Sequence, residues 1–122
     1  HLIDCANKLT DHYDVVLVEG AGGLAVPLTE NLLTIDFVCA QNWPFVFVTS
    51  GKLGSINHAV LSLEALERRG AALSTVIFNR CNPMPDETIE SDTRGYIRRY
   101  CFSRFPRTLW LECPVFAPEE IG

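Results

Sequence analysis

The chain has 122 residues, a formal net charge of −5 and a hydrophobic fraction of 48%. This length predicts a single domain, residues 1–122, with enough apolar side chains for a buried core. The acidic balance weighs against nucleic acid and membrane surfaces as partners, and no apolar run reaches the roughly 20 residues that a membrane span needs. Because the chain starts at His1 rather than at a methionine, we expect it to be part of a longer protein.

Helical and strand-like patterns alternate along the chain. The apolar run Val15–Val18 predicts a buried strand, because it ends abruptly at Glu19 and is followed by glycines. A helix precedes this strand over residues 1–9, and a loop follows it over residues 20–33. The other predicted elements are a helix over 34–41, a strand over 45–48, a helix from 56 to a stop at Gly70, a strand over 73–78, a loop over 80–86, a helix that Asp86 caps and that runs to about 102, a strand over 109–111 and a tail over 114–122.

This order predicts an α/β fold, in which a parallel sheet is flanked by helices. Three of the predicted strands end in polar or small residues, namely Glu19, Thr49–Ser50 and Asn79. The carboxyl ends of parallel strands meet at one edge of a sheet, where open α/β sheets bind their ligands. The sequence therefore predicts that an acid, hydroxyl groups and an amide lie along one edge.

The cysteines indicate a reducing compartment. Their number is odd and no C-x-x-C pair occurs, so neither a disulfide framework nor a zinc site is predicted. We expect a cytoplasmic protein with reduced and mostly buried cysteines, which are Cys5, Cys39, Cys81, Cys101 and Cys113.

Two short motifs resemble nucleotide sites without matching them. Gly20–Ala25 fits a dinucleotide pattern, but that pattern must open a helix and here Val26 and Pro27 follow. Gly51–Lys52 resembles the end of a P-loop, but Leu53 follows the lysine and the first P-loop glycine is missing. The helix start at Gly54–Ser55 remains open to two interpretations, an anion site or an ordinary serine cap.

Taken together, these segments resemble the dethiobiotin synthetase family of P-loop enzymes. The resemblance rests on Val18–Gly23 with Pro27–Leu28, on Gly51–Ala59, and on Asn79 at the end of the next strand. It covers roughly Tyr13–Asn79 in the family's order. It implies a partial P-loop NTPase-like fold that lacks the P-loop strand. This family converts 7,8-diaminononanoate, CO2 and ATP to dethiobiotin, ADP and phosphate through a phosphorylated carbamate, typically as a homodimer.

The resemblance also implies roles for individual residues. Glu19 would bind Mg²⁺, and Asn79 would recognise the adenine of ATP. The implied nucleotide-binding residues are Glu19, Gly20, Gly22, Asn79, Pro114 and Ala117, and the implied substrate-binding residues are Gly22, Gly23, Gly54, Ser55, Ile56 and Asn57. No catalytic residue is assigned, because the family's P-loop, its lysines and a second Mg²⁺ carboxylate belong to an amino-terminal part that this sequence does not contain. We therefore expect the 122-residue chain to be inactive alone.

Two other functions stay open at this point. The first is a related P-loop protein, either an amidoligase or a partition-type ATPase. The second is a non-catalytic dimerisation module derived from the same fold. A P-loop motif upstream of His1 would exclude the second, and protection by the diamine would distinguish dethiobiotin synthetase from the first.

Overall fold

The computed structural model describes residues 1–80 and 86–121. Its main sheet has three parallel strands in the order β3-β4-β5, and a two-stranded antiparallel hairpin, β1-β2, lies upstream. The elements are α1 (Leu2–Thr10), β1 (Pro27–Thr29), β2 (Leu32–Leu33), α2 (Thr34–Ala40), β3 (Phe45–Ser50), α3 (Ser55–Arg68), β4 (Leu73–Asn79), α4 (Glu87–Arg104), β5 (Leu109–Cys113) and α5 (Pro118–Ile121). The predicted α/β class with a parallel sheet and flanking helices is confirmed.

Local sequence explains where the two long helices begin and end. Asp86 caps α4 as predicted, because its carboxylate accepts hydrogen bonds from the backbone N–H groups of Thr88 and Ile89. Gly70 follows α3 with a φ of 60°, a left-handed conformation that favours glycine after a helix. These local signals set one end of each of the two helices that connect the parallel strands.

Both crossover helices cover one face of the sheet. Val76 and Phe78 of β4 are fully buried there, and the Phe78 ring stacks on Trp110 of β5 at 6.1 Å between centroids. The helices supply the other buried side chains of this core, which are Ala59, Leu63 and Leu66 from α3 and Ile97 and Cys101 from α4. Ile56, Ile89 and Tyr96 would complete the apolar stripes of these helices by helical spacing, but their side chains are exposed.

The opposite face of the sheet is open in the part of the chain that the structure describes. The register aligns Val46 with Thr75 and Leu109, and Val48 with Ile77 and Leu111. Val48 is 56% exposed and Leu109 is 55% exposed, although both are strand residues with apolar side chains. The strands are thus apolar on both faces, but helices cover only one of them.

The predicted strand Val15–Val18 is wrong. These residues form no strand, and Leu17 is 86% exposed. A strand needs a neighbour to satisfy its backbone N–H and C=O groups, and none of the described strands pairs with this segment. An apolar run predicts a strand only where the chain also supplies such a neighbour. Among the described strands β3 pairs with β4 alone, so no described residue pairs with its other edge.

The stretch 20–33, predicted as a loop, contains the β1-β2 hairpin.

The thiols are more exposed than the sequence predicted. Of the cysteines that the structure describes, all are free and Cys101 alone is buried, so the expectation of mostly buried thiols is wrong. Cys81 and most of the predicted loop over 80–86 lie outside the described residues. None of the helices in residues 1–80 and 86–121 is both long and apolar enough to cross a membrane.

Candidate functional site

A cleft of about 680 Å³ lies between the glycine-containing segment that precedes β1, the carboxyl half of β3 and one side of α3. Its lining combines apolar groups with hydroxyls, an amide, an imidazole and an ammonium group. The lining residues are Gly23, Leu24, Ala25, Phe47, Val48, Thr49, Ser50, Lys52, Ser55, His58, Leu61, Ser62, Ala65 and Asn79.

The parallel register brings two polar strand ends to this cleft. Ser50 at the end of β3 is aligned with Asn79 at the end of β4, and both line the cleft. The predicted meeting of polar residues at one sheet edge is therefore confirmed for these two strands. It is wrong for Glu19, because the strand that would have carried Glu19 to the edge does not form.

A pair of serines joins the end of β3 to the start of α3. Ser50 Oγ lies 3.2 Å from Ser55 Oγ, and the backbone N–H of Lys52 donates to Ser50 Oγ at 3.4 Å. Ser55 is 7% exposed, and its backbone N–H donates to the carbonyl oxygen of Lys52 at 3.0 Å. These contacts fold residues 50–55 into a tight connection at the rim of the cleft.

The start of α3 is compatible with an anion. The residue before the helix is Gly54, which has a φ of 88° and makes no side-chain cap. Ser55 is the first helical residue, so the interpretation as an ordinary serine cap is wrong. No protein acceptor within the described residues takes the backbone N–H groups of Ile56 and Asn57. Free N–H groups at a helix start attract phosphates and carboxylates.

The glycines before β1 shape the opposite wall of the cleft. Gly22 has a φ of 90°, and a Cβ atom there would lie 2.9 Å from Cγ2 of Val26, so a side chain would be strained for two reasons. Thr34 fixes this segment, since its Oγ1 donates to the Val26 carbonyl oxygen at 2.9 Å. Gly23 lines the cleft, and a Cβ atom added there would have no neighbour within 4 Å.

Glu19 stands apart from this lining. Its carboxylate is exposed and makes neither an ion pair nor a hydrogen bond with any described residue. The described residues also contain no cluster of three or more His, Cys, Asp or Glu side chains that could hold a metal ion. Mg²⁺ in nucleotide sites commonly uses only one or two carboxylates together with phosphate oxygens. Glu19 therefore fits an ion that arrives with a nucleotide, and does not fit one held by protein ligands alone.

The other predicted site residues do not line the cleft. Gly22, Gly54, Ile56 and Asn57 each adjoin a lining residue in the sequence, and Gly20 lies three residues before Gly23. Pro114 and Ala117 lie beyond β5, and the backbone N–H of Ala117 donates to Glu120 Oε2 at 2.7 Å. Their proposed contacts with a ligand remain predictions.

Sequence reasoning missed the wall that α3 contributes. His58, Leu61, Ser62 and Ala65 recur at spacings of three and four residues, so they share one side of the helix. The signal was present in the sequence, but this side carries no strong charge and few large apolar groups. It therefore resembles an ordinary half-exposed helix surface.

Comparison with known proteins adds an independent observation. The family model described as AAA domain (AAA_26) matches residues 1–106. The chain belongs to this AAA domain family. Among its relatives, the protein named "ATP-dependent dethiobiotin synthetase BioD 2" from Pasteurella multocida is 44% identical over 106 residues, which are 87% of this chain and 49% of the relative.

Two other relatives carry the same activity in their names. The Haemophilus influenzae protein "ATP-dependent dethiobiotin synthetase BioD 2" is 54% identical over 71 residues, covering 58% of this chain and 37% of the relative. The Chlorobaculum tepidum protein "ATP-dependent dethiobiotin synthetase BioD" is 45% identical over 103 residues, covering 81% of this chain and 43% of the relative. The resemblance to dethiobiotin synthetases and the P-loop NTPase-like fold are thus confirmed. The chain spans about half the length, or less, of these named relatives.

Proposed function

We propose that this chain is part of an ATP-dependent dethiobiotin synthetase of biotin biosynthesis. The whole enzyme would convert 7,8-diaminononanoate, CO2 and ATP to dethiobiotin, ADP and phosphate. The observation that carries this proposal is the cleft in which Gly23, Ser55 and Asn79 meet, because these residues come from the three motifs that resemble the family. The names of the relatives favour it over an amidoligase, a partition-type ATPase or a non-catalytic module.

In this proposal Asn79 binds the adenine of ATP. Its side-chain amide offers one acceptor and two donors, which is the pattern needed to pair with the edge of a base. Asn79 is half-buried at the end of β4, so part of its desolvation is already complete before the nucleotide arrives. Pro114 and Ala117 would border the nucleotide on the far side of β5, and Gly20 and Gly22 would let the backbone approach its phosphates.

The start of α3 binds the carboxylate of the diamine in the same proposal. The N–H groups of Ile56 and Asn57 have no acceptor among the described residues, and Gly54 and Ser55 form the turn that presents them. Gly22 and Gly23 would border the rest of the substrate. In the whole enzyme the substrate would also contact the second subunit of the proposed homodimer.

Glu19 would hold Mg²⁺ bound to the nucleotide. When bound, this ion neutralises charge that develops on the transferred phosphoryl group. Glu19 would supply its carboxylate to this ion, and its exposure leaves that group accessible to a nucleotide-bound ion. The protein would act in the cytoplasm, where ATP is available.

Ligand binding to the whole enzyme tests this proposal. We expect ATP binding, measured by isothermal titration calorimetry, to weaken at least ~10-fold in Asn79→Asp, because a carboxylate cannot donate to the base. Asn7→Asp on the exposed side of α1 is the matched control and should bind as the unmodified chain does. Equal affinities of the two variants would contradict the role of Asn79.

A second measurement concerns the diamine and catalysis. 7,8-Diaminononanoate should raise the melting temperature, whereas a diamine of the same length without the carboxylate should not. Equal shifts would contradict carboxylate binding at α3. We expect no dethiobiotin from the isolated chain with ATP, bicarbonate and the diamine, because its sequence has no P-loop to position the phosphates. Turnover by the isolated chain would contradict this expectation.

A further inference from the structure

A buried acid lies just beneath the candidate site without lining it. Glu90 belongs to the first turn of α4, and its side chain is 6% exposed. Its Oε1 lies 2.5 Å from Nε of Arg80. The contact is an ion pair rather than a directed hydrogen bond, since Arg80 Nε has no hydrogen bond of acceptable angle in residues 1–80 and 86–121. A carboxylate buried to this extent is held in place by its partner, because an unpaired buried charge is unfavourable.

The aliphatic part of the same side chain packs against a different segment. A Cβ atom on Gly51 would lie 3.0 Å from Cγ and 3.7 Å from Cβ of Glu90. Gly51 is buried, and the same Cβ atom would lie 3.4 Å from Cζ of Phe78. Glu90 therefore supports the turn that follows β3 with its methylene groups, while its carboxylate holds Arg80.

These two contacts fall at equivalent positions in the sheet. Gly51 is the first residue after Ser50, and Arg80 is the first residue after Asn79, and Ser50 and Asn79 are aligned with each other. One side chain from α4 thus contacts both strand ends that supply polar groups to the cleft. Arg80 is further fixed by its backbone N–H, which donates to the Cys113 carbonyl oxygen at 2.9 Å.

We propose that Glu90 is a positioning residue, which holds the ends of β3 and β4 so that Ser50 and Asn79 face the same ligand. The part of this inference that concerns a nucleotide rests on the proposed function. Glu90 does not contact the cleft itself, so it acts through Gly51 and Arg80. Close packing at Gly51 transmits small displacements of α4 to the serine pair.

Amide hydrogen exchange of the unliganded chain tests the positioning role directly. Glu90→Gln keeps the methylene packing on Gly51 but removes the charge that pairs with Arg80. We expect exchange at the amides of Arg80 and Lys52 to become ~10-fold faster, while the amide of Val76 in the middle of β4 is unchanged. The matched control is Glu112→Gln, which removes an ion pair with Arg94 that is 3.2 Å long and lies on the surface. Acceleration at all amides alike, or at none, would overturn the proposal.

The affinity of the whole enzyme for ATP is the second measurement. Glu90→Gln and Arg80→Gln should each weaken ATP binding about 5–10-fold, and the double variant should be no weaker than either, because the two residues act through one contact. If the losses of ATP affinity in the two single variants added up in the double variant, Glu90 and Arg80 would act separately, which would overturn the proposal that they act through one contact. If the whole enzyme binds no ATP, the proposed function fails, whereas the exchange experiment still decides whether Glu90 positions the strand ends.

Discussion

The two faces of the main sheet are made by the same strands and differ in what covers them. On one face Val76 and Phe78 are fully buried under α3 and α4. On the other face Val48 and Leu109 are about half exposed, although these positions are equally apolar. Strands that are apolar on both sides are typical of parallel sheets with helices on both faces. The difference shows that α3 and α4 complete one core, whereas the second face is a surface suited to contact but uncovered by any described residue.

The largest expected effect is at the centre of the covered face. Phe78→Ala should lower the free energy of unfolding by about 3–5 kcal/mol, because it leaves a cavity and removes the stacking on Trp110. Urea unfolding followed by circular dichroism measures this change. Val48→Ala on the open face is the control and should cost less than ~1 kcal/mol, since this side chain is already largely in water. Similar costs at both positions would show that the open face is covered in solution.

A smaller effect is expected where the covered face meets the cleft. In Gly51→Ala the new Cβ atom would lie 3.0 Å from Glu90 Cγ, so the buried Glu90 side chain must move, while Phe78 Cζ at 3.4 Å leaves no room on the other side. Overpacking of this kind costs about 1–3 kcal/mol. Gly23→Ala, on the opposite wall, meets nothing within 4 Å and should be close to neutral. Thermal unfolding of the two variants checks the contrast, and equal stabilities would contradict the packing at Gly51.

The pH dependence of stability reports on the covered face through Cys101. Burial raises the pKa of its thiol from 9.0 to about 11. As the pH rises, the thiol of the unfolded chain therefore loses its proton before the thiol of the folded chain does. The contribution of buried Cys101 to the free energy of unfolding is complete below pH 9 and falls as the pH rises towards 11. The slope is on the order of 1 kcal/mol per pH unit. Urea unfolding between pH 8 and pH 10.5 should show a shallower decline for Cys101→Ala, and parallel declines would exclude this linkage.

The smallest effect on stability is expected at the open face itself. Val48→Lys should change the free energy of unfolding by no more than about 0.5 kcal/mol, because the side chain lies in water. It should also reduce self-association, since a charge on a free edge strand opposes pairing with another chain. Sedimentation velocity at increasing concentration measures this property. The same substitution at fully buried Val76 should prevent folding, and if Val48→Lys does so too, the two faces are not different.

The sequence predicted those elements of the fold that local chemistry determines, and failed where an element depends on a neighbouring strand. Helix bounds at Asp86 and Gly70 followed from local chemistry, and β3, β4 and β5 were found because their apolar runs are short and clearly bounded. Val15–Val18 looked the same, but whether it pairs depends on a neighbouring strand that no local pattern reveals. Because this strand does not form, Glu19 does not lie at the sheet edge where the sequence predicted it.

The candidate site likewise contains residues whose placement the sequence could predict and one whose placement it could not. Ser50 and Asn79 were predictable, because register alone brings the ends of adjacent parallel strands together. The role of Glu90 was not, since an acid in the first turn of a helix normally only complements the helix dipole. Its burial follows from how α4 packs over Gly51, which depends on the tertiary structure rather than on neighbouring residues.

The sheet order has a consequence for how this fold is assembled during synthesis. β3, β4 and β5 occupy the sheet in the order in which they occur in the chain. A ribosome therefore delivers each new strand to the edge that the previous strand has just formed, and every helix between them can close over the same side at once. No described strand pairs with the other edge of β3, and β4 and β5 are both added on the opposite side, so nothing made after β3 in the described residues competes for that edge.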